Sequence, residues 1–480
     1  MTDADLCFTT ATELVALFRR RKVSPLELTR AVLERIEKVN PPLNAYCTVA
    51  AEQALAAARR ATAALKRRAK LGPLHGIPVS IKDLTLTQGI RTTEGSKIFE
   101  HRIPGHDALV VERLKAAGAI VLGKTNTPEF GAGANTFNAV FGPTRNPWDP
   151  TFTCGGSSGG AAVALATGLG PLAQGSDLGG SLRIPAAFCG VVGFRTTPGL
   201  VPVWPATLAW DPWSVEGPMA RTVADTALML TAIAGPDPRA PLSFAVDTRT
   251  FTHAVRAPGI KGLRIAWGGG LGITPVDDEV LGVCHAATAL LRALGARVDE
   301  AHPDFDGLHE IVDVSRGASM VARHADKLGK WRGVMQENLV KNIEYGLTLT
   351  ATDIGRAERI RTVLWHRVRE FYTRYDLIVT PTTAVPPFPV AVVYPREING
   401  KPMTHYIEWA LLTYAFTVVG LPAISVPCGF TRAGLPVGLQ LAGGLAGRRH
   451  RAARGGRLRG GAAVGAPAAV RAVIVSSRHA

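Results

Sequence analysis

Hydrophobic and polar positions change their spacing repeatedly along this chain, from the period of a helix to that of a strand. Residues 24–40 open with Ser24, Pro25 and Glu27, a capping box with proline in the first turn, and apolar residues then recur at helical spacing. Residues 76–84 alternate as a strand does, and a further helix is predicted after residue 123. The same reasoning predicts helices at 107–117, 159–168, 222–234, 278–294 and 356–375, and strands at 119–123, 171–177, 191–195, 263–267, 377–382, 423–430 and 437–443.

This alternation of helices and strands predicts an α/β fold whose sheet is covered by helices on both faces. No proline-rich linker divides the chain, and no internal repeat is found. The longest apolar run, residues 410–430, is interrupted by prolines and glycines, and it predicts a buried helix and then a strand, not a membrane span. The N-terminus lacks the basic region of a signal peptide, so the expected location is the cytoplasm.

Composition limits the class of protein further. The chain has 480 residues, of which 46% are hydrophobic, and this content predicts a large core and excludes general disorder. Its six cysteines form no C-x-x-C pair, which argues against a zinc ribbon or a redox motif. We interpret them as reduced thiols that are mostly buried, and this includes Cys154 and Cys189, which lie beside the candidate site.

The formal net charge of +16 is unevenly distributed. Residues 447–480 contain eight arginines and no Asp, Glu or Lys, so +8 remains for the other 446 residues. Of these 34 residues, 23 are Arg, Ala or Gly, and no apolar face recurs among them. Two interpretations stay open for this tail: a basic arm for nucleic acid, or the product of a shifted reading frame in GC-rich DNA. The boundary between a main domain, 1–446, and the tail is placed there.

The stretch CGGSSGG, residues 154–160, has the composition of a flexible linker but not the context of one. It precedes an alanine-rich segment that is predicted to be helical, and a second knot of glycine and polar residues follows at 175–190. In both knots a serine adjoins Gly-Gly. Glycines at such positions let successive N–H groups point at one spot, which suits an oxyanion hole or an anion site.

The two knots match neither of the common phosphate or serine-hydrolase motifs. They have no lysine in P-loop order and no G-x-S-x-G spacing. A serine nucleophile needs a base, and no histidine lies in a suitable motif near the knots. Lys82, by contrast, is a single lysine in an apolar predicted strand, where it is either a surface residue or, if burial lowers its pKa, a base.

The combination of these segments resembles the amidase signature family. Residues 155–186, GGSSGGAAVALATGLGPLAQGSDLGGSLRIPA, fit the diagnostic pattern of that family, and GIPVSIKDL is similar to its lysine segment. The resemblance extends over about residues 10–445. It implies a single large domain with a mixed, twisted central sheet, and hydrolysis of amide bonds without metal or cofactor.

The resemblance also assigns roles to individual residues. By motif position Ser181 is the nucleophile, Ser157 the bridging serine and Lys82 the terminal base, and the bond before Ser157 is cis. Leu178, Gly179, Gly180 and Ser181 correspond to the oxyanion hole.

Other residues are assigned supporting roles or are left with alternatives. Asp177 and Arg183 are expected to pair and hold the turn, while Ser158 either hydrogen-bonds Lys82 or caps the next helix. Gly131 and Ala132 either line the substrate channel or serve helix packing.

Three functions are compared. The favoured one is a hydrolase of small aryl or apolar amides, or of related carbamates and esters, that acts as a monomer or homodimer with no nucleic acid or membrane partner. The second is the amidotransferase component that acts on misacylated tRNA; KDL, KTNTPEF and SLRIPA depart from the usual KDN, KTNMDEF and SIRQPA of that group. The third, a binding protein without activity, conflicts with a complete triad. Substrate choice is expected to depend on variable loops at 200–215 and 305–350, where the three tryptophans of the first segment either bind an aryl group or pack in the core.

Overall fold

A computed structural model describes residues 2–67, 71–256 and 259–444 of the chain. The alternatives for the tail at 447–480 therefore lie outside the described residues. The helices are α1 (Asp3–Phe8), α2 (Ala11–Arg19), α3 (Pro25–Leu43), α4 (Ala51–Lys66), α5 (Leu109–Ala116), α6 (Gly159–Ala166), α7 (Arg183–Cys189), α8 (Val223–Ile233), α9 (Arg249–Arg256), α10 (Asp278–Ala293), α11 (Leu308–Trp331), α12 (Glu337–Thr348), α13 (Ala351–Phe371) and α14 (Leu411–Thr417). The strands are β1 (Tyr46–Val49), β2 (Pro78–Lys82), β3 (Ile120–Thr125), β4 (Leu172–Asp177), β5 (Val192–Arg195), β6 (Val215–Ala220), β7 (Arg264–Trp267), β8 (Arg297–Glu300), β9 (Leu377–Pro381), β10 (Glu397–Ile398), β11 (Lys401–Pro402), β12 (Ala423–Phe430) and β13 (Pro436–Gly443).

Eleven of these strands form one mixed sheet, in the order β1-β3-β2-β4-β6-β5-β12-β13-β9-β7-β8. β2 is parallel to both of its neighbours, β3 and β4, and β7 is parallel to β8 and β9. The strands between these two parallel groups pair antiparallel. The central strands β2, β4, β9 and β13 are almost entirely buried, as expected for a sheet with helices on both faces. The predicted α/β fold with a mixed sheet is confirmed.

The first long helix shows how the local sequence determines an element. Ser24 accepts a hydrogen bond from the Glu27 N–H, and the Glu27 carboxylate accepts one from the Ser24 N–H, so the predicted capping box is present. Such a cap contributes about 1 kcal/mol to helix stability. Leu28, Val32 and Ile36 recur on one face and are buried in the core. The helix continues to Leu43, three residues beyond the predicted end.

α6 is built from small residues because it lies in the middle of the molecule. All but its last residue, from Gly159 to Leu165, are buried. A Cβ atom on Gly160 would lie 2.4 Å from the backbone nitrogen of Asn126, so only glycine allows this approach. The alanine-rich helix predicted from the sequence is thus confirmed, and its close packing holds the preceding loop, 154–158, rigidly against the sheet.

Two expectations about the other segments are wrong. The chain after β3 does not turn into an α-helix; it forms only a short 3₁₀ turn, Glu129–Gly131, in which Phe130 has a φ of 50°. The segment 305–350 is not a loop, because α11 and α12 occupy most of it. α11 carries two buried polar residues, Arg316 and His324, between its apolar positions, and this mixture hides the helical period in the sequence.

The apolar run 410–430 forms α14 and β12, as predicted. No helix in the described ranges is long and apolar enough to cross a membrane. All six cysteines are free thiols, and Cys7, Cys154, Cys189 and Cys284 are buried. Burial raises the pKa of Cys154 to about 12, which leaves that thiol protonated at neutral pH and supports its interpretation as a structural residue.

Candidate active site

Two neighbouring strands bring polar side chains together at one edge of the sheet, the edge at which the carboxyl ends of both strands lie. β2 and β4 are parallel, with Ile81 opposite Gln174, so their carboxyl ends lie side by side. Lys82 is the last residue of β2, and Ser176 lies one residue before the end of β4. The loop before α6 carries Ser157 to the same edge.

Lys82 is completely buried at this edge. Its Nζ donates hydrogen bonds to Ser157 Oγ at 2.6 Å and to Ser176 Oγ at 3.1 Å. Burial lowers the pKa of Lys82 to about 7, although the carboxylates of Glu216 and Asp177 act in the opposite direction. The amine is therefore largely neutral at mildly alkaline pH, and it is able to accept a proton from a serine hydroxyl.

Ser158 takes neither of the two roles that the sequence left open. Its Oγ donates to the Ser176 carbonyl oxygen at 3.3 Å, and its side chain makes no capping bond to α6. The second partner of Lys82 is Ser176, because this serine projects from the strand that lies next to β2. Sequence reasoning missed Ser176, although it stands inside the second glycine knot.

Ser181 lies between β4 and α7 and lines the cavity described below. Its carbonyl oxygen accepts the Ser158 N–H at 3.1 Å, which ties the two glycine knots together. Among the described residues its hydroxyl has no hydrogen-bond partner, so of the three residues of the predicted triad only Lys82 and Ser157 are hydrogen-bonded to each other. Catalytic hydrogen bonds of this kind often close only when substrate is bound. The Gly156–Ser157 peptide bond is cis, as expected.

The turn from Leu178 to Ser181 presents backbone N–H groups at the cavity, but not all four. The Gly180 N–H donates to Asp177 Oδ1 at 2.8 Å, so the expectation that this amide serves the oxyanion hole is wrong. The amides of Leu178, Gly179 and Ser181 have no acceptor within the described ranges. These three remain available to a ligand oxygen.

Asp177 stabilises this turn through the hydrogen bonds and ion pairs of its carboxylate. Its carboxylate accepts the N–H groups of Gly180 and Leu182 and ion-pairs with Arg183 at 2.9 Å and Arg195 at 3.2 Å. Burial would raise the pKa of Asp177, but the two guanidinium groups outweigh it and hold the pKa well below its usual range. The predicted pair of Asp177 and Arg183 is thus confirmed, and Arg195 is a further member that sequence reasoning missed.

Gly179 is required by the side chain that packs over it. A Cβ atom on Gly179 would lie 2.1 Å from Cζ of Tyr414, far inside contact distance. The neighbouring carbonyl group is also held, since Thr413 Oγ1 donates to the Gly179 carbonyl oxygen at 2.6 Å. The turn from Leu178 to Ser181 is therefore shaped by α14, more than 200 residues later in the chain.

A second ionisable group lies beside Lys82. Glu216 on β6 is directly opposite Ser176 on β4, and its carboxylate accepts a hydrogen bond from Nε2 of Gln174. The Oε1 atom of Gln174 accepts the backbone N–H of Lys82 at 3.0 Å. Burial raises the pKa of Glu216 to about 7, against the effect of Gln174 and of the lysine. Neither Gln174 nor Glu216 carries a signal in the sequence, because only strand pairing places them here.

These groups open into a cavity of about 550 Å³. Ser157, Ser176, Ser181 and Glu216 lie in its wall, as does Gly131 of the 3₁₀ turn. Gly131 therefore lines the cavity as expected, and a Cβ there would lie 2.7 Å from Leu84.

Ala132 does not line this cavity. It packs in a separate small core with Met320, Leu339 and Ile343, so the packing alternative is correct for this residue.

The segment 200–215 contributes to the wall, but not through its tryptophans. Trp210 is 74% exposed, and Trp213 is buried against the ring of Tyr414. None of the three tryptophans lines the cavity; its aromatic residues are Phe130, Tyr406 and Tyr414. The expectation that an aryl group is bound by these tryptophans is therefore wrong, and the core-packing alternative holds for Trp213 but not for the exposed Trp210.

Among the described residues no group of His, Cys, Asp and Glu side chains is arranged to hold a metal ion.

Comparisons with known proteins find similar sequences over most of this chain. A family model described as Amidase matches residues 27–447. An acylamidase of Rhodococcus erythropolis is 41% identical over 454 residues, which cover 94% of each chain. One component of the glutamyl-tRNA(Gln) amidotransferase of Moorella thermoacetica is 37% identical over 468 residues, covering 92% of this chain and 93% of the relative.

Solved structures resemble the fold over nearly its whole length. A bacterial aryl acylamidase of the amidase signature family superposes with a TM-score of 0.85 at 30% identity, covering 97% of this chain and 95% of the other. A 6-aminohexanoate cyclic dimer hydrolase superposes with a TM-score of 0.83 at 27% identity, covering 98% and 97%.

Proposed function

This chain belongs to the amidase signature family, and from that premise we propose that it is a hydrolase of small amides, with aryl amides as its preferred class. The observation that carries the proposal is the buried Lys82 Nζ, 2.6 Å from Ser157 Oγ and adjacent to the turn that presents Ser181. A buried lysine with a pKa near 7 supplies the base that a serine nucleophile needs.

The proposed mechanism begins with attack of Ser181 Oγ on the amide carbonyl carbon. The proton of Ser181 passes to Ser157, whose own proton passes to neutral Lys82. The developing oxyanion accepts hydrogen bonds from the amides of Leu178, Gly179 and Ser181, and one such donor contributes about 3–4 kcal/mol to the transition state.

Collapse of the tetrahedral intermediate breaks the C–N bond, and the relay runs backwards to protonate the leaving amine. A water molecule then attacks the acyl-enzyme ester in the same way, so that the carboxylic acid leaves and Ser181 is restored.

One relative, the aryl acylamidase, supports the aryl amide preference, and the acylamidase supports an amide substrate in general. The acylamidase and the aryl acylamidase described above are similar to this chain over almost its full length. The cavity has aromatic residues in its wall, Phe130, Tyr406 and Tyr414, which can contact an aryl ring. Carbamates have the same geometry at the carbonyl group, and we include aryl carbamates as a second substrate class.

The amidotransferase function is kept as the alternative because relatives of that type are 36–37% identical. Against it stand the departures at the lysine segment and the nucleophile segment. A glutamine donor in the substrate panel separates the two, since release of ammonia from glutamine would favour the amidotransferase.

The test combines turnover with covalent labelling. Purified protein is assayed with 4-nitroacetanilide, an aliphatic amide, glutamine and an aryl carbamate, and is then treated with a fluorophosphonate that esterifies activated serines. We expect anilide turnover and a single adduct on Ser181, both lost in Ser181→Ala. Ser214→Ala, a serine in the same cavity without contact to Lys82, keeps the label. An adduct that persists in Ser181→Ala would refute the nucleophile.

A further inference from the structure

A buried arginine forms part of the cavity wall and makes no ion pair with an acidic side chain among the described residues. Arg316 on α11 is only 6% exposed, and its guanidinium donates to three neutral groups. Nε donates to Asn342 Oδ1 at 3.1 Å, one terminal nitrogen to the Tyr414 hydroxyl at 3.0 Å, and the other to the Tyr406 hydroxyl. The guanidinium is thus held in place by α12 and by the segment around α14.

The other arginines of the cavity wall differ in this respect. Arg102 pairs with Glu94 at 2.7 Å, and Arg323 pairs with Asp211 at 2.5 Å. Arg316 makes no ion pair within the described ranges. The charge of Arg316 lowers the pKa of Asp313, one turn earlier on α11, but the Asp313 carboxylate lies 3.8 Å from His405 and forms no ion pair with Arg316.

Burial of an unpaired cation is costly unless an anion completes the site. Phenol hydroxyl groups are neutral at pH 7 and do not balance the charge. Burial raises the pKa of Tyr414 to about 12, so that this phenol in particular stays neutral. Among the described residues the cation therefore has no carboxylate in direct contact, and its hydrogen-bond partners are all neutral.

The guanidinium also has unused donors. An arginine has five N–H groups, and the three hydrogen bonds of Arg316 leave one N–H on each terminal nitrogen without an acceptor among the described residues. Two N–H groups on separate nitrogens are the donors that bind a carboxylate through both of its oxygens.

The position of this group relates it to the reaction site. The Tyr414 hydroxyl that accepts from Arg316 would lie 2.4 Å from a Cβ atom on Gly179, which shows that it rests against the oxyanion turn. We propose that Arg316, together with the hydroxyls of Tyr406 and Tyr414, forms a carboxylate subsite, and that the enzyme prefers amides that bear a carboxylate near the scissile bond. This inference rests on the proposed function and names its substrate class.

The kinetic test compares substrates that differ in one charge. Succinyl-4-nitroanilide and butyryl-4-nitroanilide have acyl groups of similar length, and both release 4-nitroaniline. A glutaryl anilide and 4-acetamidobenzoate place the carboxylate farther away or on the leaving group. We expect kcat/KM to be about ten- to a hundredfold higher for at least one carboxylate substrate than for its neutral counterpart, the range of a charge-assisted hydrogen bond.

Variants then assign this preference to one residue. Arg316→Met should remove the preference, so that the ratio of kcat/KM between succinyl- and butyryl-4-nitroanilide falls to about one, while Arg316→Lys should keep part of the preference because its charge remains. Arg323→Met is the matched control, since that arginine lies in the same wall but is already paired with Asp211. It should leave the ratio between the two substrates unchanged.

A binding measurement keeps the proposal independent of turnover. Calorimetry on Ser181→Ala should give a Kd for succinyl-4-nitroanilide at least about tenfold lower than for the butyryl compound, and Ser181→Ala/Arg316→Met should abolish the difference. Equal affinities for charged and neutral compounds, or equal losses on both in Arg316→Met, would overturn the subsite and show that Arg316 only braces its neighbours. Failure of the proposed function is distinct, because it would appear as absent turnover and absent labelling of Ser181.

Discussion

Replacement of Lys82 by methionine should abolish activity and at the same time stabilise the protein. Methionine has a similar length and no charge, and it occupies a site where Lys82 is completely buried. The unfolded chain holds the lysine proton up to its ordinary pKa of 10.5, whereas the native protein releases it near pH 7. Between these two values the unfolded state binds more protons, so the stability of the wild type rises with pH.

The size of the stability difference follows from the two pKa values of Lys82, in the unfolded and the native state. The decrease of this pKa from 10.5 to about 7 on folding lowers the free energy of unfolding by about 5 kcal/mol at pH 7 and below. Methionine removes this cost, but it leaves the hydroxyls of Ser157 and Ser176 without a donor, which costs about 1–3 kcal/mol. We therefore expect Lys82→Met to be about 2–4 kcal/mol more stable than the wild type at pH 7.

The pH dependence is the more specific result. Methionine does not titrate, so the advantage of Lys82→Met should shrink by about 1.4 kcal/mol per pH unit above pH 7. Glu216 titrates with the opposite sign, and because Lys82 lowers the pKa of Glu216, that pKa is higher in Lys82→Met. Titration of Glu216 in the variant therefore adds to the decrease, and between pH 7.5 and 9.5 the difference should fall by at least about 3 kcal/mol.

The assay is chemical denaturation of the wild type, Lys82→Met and Ser181→Ala at four pH values from 7.5 to 9.5. Ser181→Ala is the matched control: it is also inactive by our mechanism, but Ser181 makes no hydrogen bond to Lys82, and its difference from the wild type should not vary with pH. A constant difference between the wild type and Lys82→Met, or a variant less stable at every pH, would refute a buried lysine with a lowered pKa.

Three further results are expected. Glu216→Gln removes a carboxylate that raises the pKa of Lys82, so the acidic limb of the pH–rate profile should move to lower pH by on the order of one unit. An unchanged limb would contradict an influence of Glu216 on the pKa of Lys82. Gly179→Ala should reduce kcat by at least about a hundredfold, because its Cβ would collide with the Tyr414 ring, and near-normal kcat would contradict the predicted oxyanion turn. A chain that ends at residue 446 should keep its anilide turnover, since β13 ends at Gly443; loss of turnover on deletion of 447–480 would show that the tail completes the fold.

The sequence by itself determined the class of fold and the outline of the candidate site. The capping box at Ser24, the strand period at 76–84 and the glycine knots depend on neighbours within a few residues of each other, so a single chain displays them directly. The motif match placed Ser157, Ser181 and Lys82 in one site because their family pattern is local to three short segments.

Only the tertiary structure decided which contacts these residues make. Pairing between strands makes Ser176, and not Ser158, the second hydrogen-bond partner of Lys82, and it places Glu216 opposite Ser176. The sequence of neither strand by itself determines the register between them. The Gly180 N–H donates to the Asp177 carboxylate, and the position of Gly180 in the sequence motif could not reveal this hydrogen bond.

The same holds for the helices that complete the cavity. The sequence predicted a variable loop at 305–350, yet this segment forms α11, and packing against α12 and α14 buries Arg316 in the cavity wall. The physical reason is that burial depends on elements that arrive from distant parts of the chain, as Tyr414 does when it meets Gly179 across more than 200 residues. A local pattern therefore predicts which element forms, and the packing of elements decides which of its side chains face the reaction site.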